Sequence, residues 1–197
     1  MLDDRVAVEK RSAGGDRYCG DACSWIQRDG HIWLCTVDGL GHGRGAQVAA
    51  EAAVEFVQDH VEKDLIDLFR QCDQAIRHTR GAVMGIAMIE EESNTLSFAG
   101  VGNTRCLLLG RTSTRMISYP GIVGAGFRTL RVETASIEPG SHVVMYTDGL
   151  PEAIDLLGYP AEHGSDLTGM ARAIMNDWYR GNDDGAVMVF RYEGTSS

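Results

Sequence analysis

The chain has 197 residues, of which 44% are hydrophobic and 23% are charged, a balance typical of a folded domain rather than a disordered chain. The net charge of −10 disfavours nucleic acid as a partner, because a phosphate backbone would be repelled. There is no apolar run of the roughly 18–20 residues that a membrane span needs, and the N-terminus lacks the pattern of a signal peptide. The length predicts a single domain over 1–197, and five irregularly spaced cysteines predict a reduced, cytoplasmic protein.

The periodicity of the apolar residues predicts the elements in chain order. Alternating or wholly apolar runs predict strands at 5–10, 22–28, 31–37, 82–90, 95–100, 104–109, 114–118, 131–137, 142–147 and 186–192. Apolar side chains at helical spacing predict helices at 46–57, 64–79 and 166–179. Because short turns join most strands and the helices stand apart from them, the predicted fold class is α+β, with antiparallel sheets and helices outside.

Asp-Gly pairs recur along the chain, and two of them do not have the context of a turn. Asp29-Gly30 lies between two predicted strands, as a tight hairpin turn would. Asp38-Gly39 and Asp148-Gly149 each end an apolar strand and are followed by leucine, without an alternating return strand. These two units therefore predict carboxylates placed at a sheet edge for a chemical purpose.

The register of the first hairpin brings two carboxylates together. If Asp29-Gly30 is a two-residue turn, Asp21 falls directly opposite Asp38. Directly opposed side chains lie about 4.5–5.5 Å apart, and like charges there destabilise the pair unless a cation lies between them. Two divalent cations about 3.5–4 Å apart that share one carboxylate would fit this span. Asp16 would face position 43, past the strand end, so Asp21 is the preferred ligand.

Asp183-Asp184, between the last predicted helix and the last strand, is either a solvated turn or part of the same site. Beside Asp21, Asp38 and Asp148, a site of oxygen ligands for a hard cation is the better interpretation.

The glycine-rich segment 39–46 follows a strand and precedes a helix, which formally matches a dinucleotide-binding fingerprint. Asp38 would place negative charge beside a pyrophosphate, and the following chain lacks the strand–helix–strand order. We favour a loop in which the Gly39 carbonyl turns toward a metal and the helix start exposes its amides. His42 and Arg44 are candidate phosphate contacts, with solvation of the helix start as the alternative.

Five spaced motifs then occur in a characteristic order. They are Cys19-Gly20-Asp21, Val37-Asp38-Gly39-Leu40-Gly41-His42-Gly43, Gly100-Val101-Gly102-Asn103-Thr104-Arg105, Tyr146-Thr147-Asp148-Gly149-Leu150 and Asp183-Asp184. Because its motifs occur in this order, the chain resembles the metal-dependent protein serine/threonine phosphatases, and among them the SpoIIE-like bacterial branch. The resemblance extends from about residue 19 to 192. The segments 71–76 and 80–82 narrow the resemblance to phosphatases that act on stressosome proteins. The resemblance implies an αββα sandwich of two mainly antiparallel sheets flanked by helices.

The resemblance also implies a ligand set for two divalent cations, Mn²⁺ by preference or Mg²⁺, in the cleft between the sheets. Asp38 would bridge both metals, Asp21 and the Gly39 carbonyl would complete one, and Asp148 with Asp183 would complete the other. These four aspartates would carry catalysis: a bridging hydroxide attacks phosphorus in line, with no cysteine nucleophile.

The implied partners are phosphorylated stressosome proteins of the RsbR and RsbS type. A non-catalytic adaptor with the same fold and an enzyme for small phosphate esters are the alternatives. Because the net charge of −10 slows the encounter with acidic phosphopeptides, recognition is expected to depend on the folded substrate surface. Candidate local contacts to the phosphate are Arg44, Arg105 and Arg128. Ala186 stands where the family usually has threonine, which removes a hydroxyl and no ligand.

Overall fold

The apolar strands assemble into two antiparallel sheets in the computed structural model, which describes residues 2–194. The strands are β1 (Val6–Arg11), β2 (Asp21–Arg28), β3 (His31–Gly39), β4 (Ala82–Glu90), β5 (Thr95–Val101), β6 (Arg105–Leu109), β7 (Ser113–Met116), β8 (Gly121–Ile122), β9 (Gly126–Phe127), β10 (Glu133–Ser136), β11 (His142–Tyr146) and β12 (Gly185–Arg191). The helices are α1 (Arg44–Asp59), α2 (Leu65–Ala75), α3 (Tyr159–His163) and α4 (Leu167–Trp178). One sheet has the order β1-β12-β11-β6-β7, the other β10-β5-β4-β3-β2, and β8 and β9 form a small hairpin.

The inner strands of each sheet are buried on both faces, which explains why several strands are apolar without alternation. In β3, Ile32 and Leu34 pack against the other sheet, whereas Trp33 and Val37 pack against α1 and α2. Helix α4 covers the outer face of the β11–β12 sheet, where Ile174 belongs to the core. The layers are therefore helix, sheet, sheet and helix, and the expected αββα sandwich is confirmed.

The hairpin register is the one that the sequence predicts. Asp29 and Gly30 have φ values of 50° and 71°, as the two central residues of a type I′ turn require. Strands β2 and β3 consequently pair with Asp21 directly opposite Asp38.

Most predicted elements match the observed ones to within two residues. The second helix ends at Ala75 instead of residue 79, because the chain turns where the Thr79 hydroxyl donates to the Ile76 carbonyl at 2.7 Å. No periodic signal predicts β8, β9 and α3, since these elements are too short to show a period. No helix within residues 2–194 has the length and apolar character that crossing a membrane would need.

Candidate active site

A cleft of about 420 Å³ opens between the ends of β3 and β11, which belong to different sheets. Its polar lining comes from six residues: Asp38, His42, Asn103, Asp148, Asn182 and Asp183. The two Asp-Gly units that the sequence separates by more than half of the chain thus meet at one site. The sandwich brings them together because Asp38-Gly39 ends β3 in one sheet and Asp148-Gly149 follows β11 in the other.

Asp21 lies behind Asp38, buried to 1% exposure. The Thr147 hydroxyl donates to Oδ2 of Asp21 at 2.6 Å and accepts a hydrogen bond from the Ala186 amide at 2.8 Å. Thr147 thereby connects β11, β12 and the buried carboxylate. Thr147 belongs to the motif at residues 146–150, but no role for it is predicted from the sequence.

Burial and mutual repulsion make the aspartates hard to ionise together. Desolvation, followed by the charges of the neighbouring aspartates, raises the pKa of Asp38 to about 9. Desolvation also raises the pKa of Asp21 to about 7, although the hydrogen bond from Thr147 opposes that shift. The pKa of Asp148 is raised by desolvation and by Asp183. Such crowding of carboxylates has an electrostatic cost that positive charge between them would remove.

Asn103 holds the Asp148 carboxylate in the cleft. Its Nδ2 donates to Oδ2 of Asp148 at 2.6 Å, while its own Oδ1 is buried without a hydrogen-bond partner in the described residues. Arg105 lies nearby and, with that hydrogen bond, counteracts the upward shift in the pKa of Asp148. The Arg105 guanidinium donates to the Asn103 and Thr104 carbonyls, so it stabilises the loop between β5 and β6.

The two adjacent aspartates at the end of the chain have different roles. Asp184 is buried and accepts hydrogen bonds from the Gly20 amide at 2.6 Å and the Ala13 amide at 2.8 Å. It therefore fastens the segment before β2 to the start of β12. Asp183 is exposed and lines the cleft, and its Oδ1 accepts a hydrogen bond from the Asp184 amide at 2.9 Å.

The glycine-rich loop between β3 and α1 packs closely against its surroundings. A Cβ on Gly39 would lie 2.0 Å from the Ala46 carbonyl oxygen, so only glycine permits this approach of strand and helix. The Arg80 guanidinium covers the loop and donates to the His42 carbonyl at 3.4 Å. Of the two candidate phosphate contacts here, His42 is among the described residues that line the cleft, whereas Arg44 is exposed outside that lining.

Arg128 lies elsewhere, because it lines a different cleft beside α2. The structure therefore does not bring it together with the aspartates.

The donor set suits divalent cations. Within residues 2–194, no three His, Cys, Asp or Glu side chains gather around a single point where a metal ion could be held. The aspartates surround the cleft instead, and their carboxylate oxygens are the donors that hard cations prefer. The pKa values of Asp21 and Asp38 are raised first by desolvation and then by the neighbouring aspartates, and bound cations would favour the ionised carboxylates against both effects. The residues thus fit the metals by chemistry and charge.

Comparisons with known proteins identify the family of the chain. Residues 28–193 match the family model of Stage II sporulation protein E (SpoIIE). The chain is similar to phosphoserine phosphatase RsbX of Bacillus subtilis (strain 168), with 28% identity over 148 residues, 74% of each chain. It also superimposes on a structure solved in work on the bacterial stressosome as a modular system that controls secondary messenger signalling. That match has a TM-score of 0.90 and 30% identity, and it covers 95% of this chain and 98% of the other.

A crystal structure of RsbX in complex with magnesium has the same fold, with a TM-score of 0.82 and 24% identity over 94% of both chains. The fold and the aspartate-lined cleft thus define a serine/threonine phosphatase of the metal-dependent class. Within that class, the chain belongs to the SpoIIE family.

Proposed function

We propose that this protein hydrolyses phosphoserine and phosphothreonine on stressosome proteins of the RsbR and RsbS type, with two Mn²⁺ or Mg²⁺ ions held among its aspartates. In doing so it would reset a bacterial stress-signalling pathway in the cytoplasm, where its five free cysteines would stay reduced. The main observation that supports this proposal is that Asp38, Asp148 and Asp183 line one cleft. Asp21 is buried and lies directly opposite Asp38 on the neighbouring strand.

The metals would be held by the side chains of Asp21, Asp38, Asp148 and Asp183 and by the Gly39 carbonyl. Bound divalent cations in such a site supply Lewis acidity, which lowers the pKa of water and neutralises the charge of phosphoryl oxygens. The protein contributes a fixed arrangement of donors. Thr147 and Asn103 each donate to one carboxylate and so fix its orientation before a substrate arrives.

The cleft itself has groups that suit a phosphoryl group. His42 lines it just before α1, whose N-terminus has no side-chain cap. The Ala46 amide donates to the Gly43 carbonyl at 3.1 Å, which leaves the Arg44 and Gly45 amides without a hydrogen-bond partner in the described residues. The carboxylates would repel an anionic substrate unless cations are bound, so binding of metal and of substrate should be coupled.

Two relatives support the choice of substrate. One is phosphoserine phosphatase RsbX, and the other is a structure from work on the bacterial stressosome. In both cases the similarity extends over most of the chain, 74% of it for RsbX and 95% of it for the stressosome-related structure.

The test is release of phosphate from p-nitrophenyl phosphate and from phosphorylated RsbR- and RsbS-like proteins, with Mn²⁺, with Mg²⁺ and with EDTA. We expect metal-dependent turnover of both kinds of substrate, and its loss in Asp38→Asn. Binding of the stressosome proteins without any turnover would identify a non-catalytic adaptor instead. Turnover of the small ester alone would identify an enzyme for small phosphate esters.

A further inference from the structure

A second cleft, of about 510 Å³, lies between α2 and the chain after β8. Four arginines line it, two from α2 and its C-terminal turn and two from the segment that follows β9: Arg70, Arg77, Arg128 and Arg131. All four are exposed to solvent at this surface. The chain has 18 basic residues and a net charge of −10, so four arginines around one cleft form a marked local excess of positive charge.

The walls of this arginine cleft are fixed by a buried carboxylate. Asp73, 6% exposed, accepts hydrogen bonds from the amides of Gly124 and Gly126, both at 2.9 Å. These bonds tie the β8–β9 turn to α2, and an edge-to-face contact of Phe69 with Phe127 adds to the attachment. Asp73 belongs to a motif that the catalytic cleft leaves without a role. The cleft is therefore preorganised, which lowers the entropic cost of binding a partner.

Two of the four arginines are compensated within α2 and two are not. Arg70 pairs with Asp67 at 3.2 Å, and Arg77 pairs with Asp73 at 3.1 Å. Arg128 and Arg131 have no acidic partner in the described part of the chain, and Arg131 lies over the Tyr119 ring at 5.9 Å. Exposed guanidinium groups that are free of carboxylates suit bidentate binding of an external anion.

The arginine cleft and the catalytic cleft share no lining residue, yet a short path of backbone hydrogen bonds connects them. The Leu40 amide of the catalytic loop donates to the Gly81 carbonyl at 3.0 Å. The next residue, Ala82, exchanges two backbone hydrogen bonds with Val123, at 2.9 and 2.8 Å. The catalytic loop and the wall of the arginine cleft are therefore connected through the backbone at the start of β4.

We propose that the arginine cleft is a docking site for an acidic segment of the substrate protein, whose carboxylates or phosphoryl group would bind Arg128 and Arg131. This inference rests on the proposed function for the identity of the partner. A docking site of this kind would solve an electrostatic problem, because the acidic protein must capture an anionic substrate at a cleft lined by aspartates. It would anchor the substrate outside the reacting group and leave the chemical step unchanged.

Direct binding is tested without catalysis. A fluorescein-labelled hexaglutamate peptide and the same peptide with a central phosphoserine are titrated in EDTA with wild type, with Arg128→Glu/Arg131→Glu and with Arg111→Glu/Arg172→Glu. The last variant changes the net charge equally, but in the turn between β6 and β7 and on α4, outside the lining of the arginine cleft. We expect the dissociation constant to rise about tenfold or more in the first variant only, and wild-type binding to weaken between about 0.05 and 0.3 M salt. Tighter binding of the phosphoserine peptide would show that the site binds a phosphoryl group. Equal binding of the two peptides would show that it binds carboxylates.

Kinetics then connect the docking site to the enzyme. For the phosphorylated protein, kcat/KM should fall about tenfold in Arg128→Glu/Arg131→Glu through a higher KM, with kcat nearly unchanged. Hydrolysis of p-nitrophenyl phosphate, which has no docking segment, should stay at the wild-type rate. Equal peptide binding by the two double variants, or tighter binding of an oligonucleotide than of the peptides, would overturn the docking site. If the wild-type protein hydrolyses neither substrate, the proposed function is wrong. The peptide-binding data would then still show whether the docking site exists.

Discussion

Asp21 and Asp38 face each other across the β2–β3 hairpin, and neither carboxylate has a basic side chain as its hydrogen-bond partner in the described residues. Two like charges directly opposed on neighbouring strands are destabilising on their own. The pair is maintained because the type I′ turn and the buried faces of both strands fix the register. The opposed pair thus lowers the stability of the metal-free protein, and cations bound between the two carboxylates, as proposed, would remove that cost.

The first prediction concerns the carboxylates at the strand ends. Asp38→Asn and Asp148→Asn should each lower kcat by about 100-fold or more, because each removes a negative ligand from the metals. Both proteins should stay folded, and without metal Asp38→Asn should melt at a higher temperature than wild type since repulsion is relieved. Turnover at saturating Mn²⁺ and thermal unfolding in EDTA provide the measurements. Near-normal turnover in either variant would contradict the assignment of these ligands.

The second compares two nearby aspartates. Asp21 is buried opposite Asp38, whereas Asp16 is exposed near Gly43, 4.0 Å from where a Cβ on that glycine would lie. Asp21→Asn should therefore reduce metal-dependent turnover far more than Asp16→Asn. Isothermal titration with Mn²⁺ should show the same order of effects on affinity. The reverse order would mean that Asp16, from beyond the paired strands, supplies the ligand.

The third concerns pH. The pKa values of Asp38 and Asp21, about 9 and about 7 in the folded protein, lie above those of the unfolded chain. The folded state then holds more protons than the unfolded state between about pH 4 and pH 9, so the metal-free protein should lose stability as pH rises through this range. Added Mn²⁺ should stabilise more at pH 8 than at pH 6, because protons compete with the metal. Melting temperatures with EDTA and with Mn²⁺ test both trends, and a metal-free melting temperature that climbs with pH would refute the first.

The fourth concerns Thr147, the hydroxyl between Asp21 and the Ala186 amide. Thr147→Val leaves a buried carboxylate and a buried amide without their partner and should cost about 1–3 kcal/mol of unfolding free energy. It should also shift the pH dependence of Mn²⁺ binding upward, because the pKa of Asp21 loses the hydrogen bond that lowers it. Thr147→Ser is the matched control that keeps the hydroxyl and should retain both properties. Equal stability of the valine and serine variants in urea unfolding would show that the hydroxyl has no such role.

The fifth concerns the form of the substrate. Intact phosphorylated RsbR- and RsbS-like proteins should be hydrolysed with a much higher kcat/KM than peptides cut from the same sites. The reason is that a protein of net charge −10 gains little from a short anionic peptide and needs contacts with a folded surface. Steady-state kinetics on matched pairs of substrate measure the ratio. Equal values for protein and peptide would show that only the sequence around the phosphorylated residue is recognised.

The sequence by itself determined most elements and the pairing of Asp21 with Asp38. Both follow from local rules, since apolar periodicity defines strands and helices and a two-residue Asp-Gly turn defines its own register. The ordered motifs identified the family, and the αββα sandwich followed from that resemblance.

Only the tertiary structure decided which groups support the aspartates and where the arginines lie. Asn103 contacts Asp148 across 45 positions of sequence and Thr147 contacts Asp21 across 126, so no local pattern announces either pair. The same holds for Arg128, which sequence analysis grouped with the phosphate contacts and which the structure places in the cleft beside α2. Strand order within and between the sheets sets these distances, and a single chain carries no periodic signal for contacts that depend on how distant elements pack.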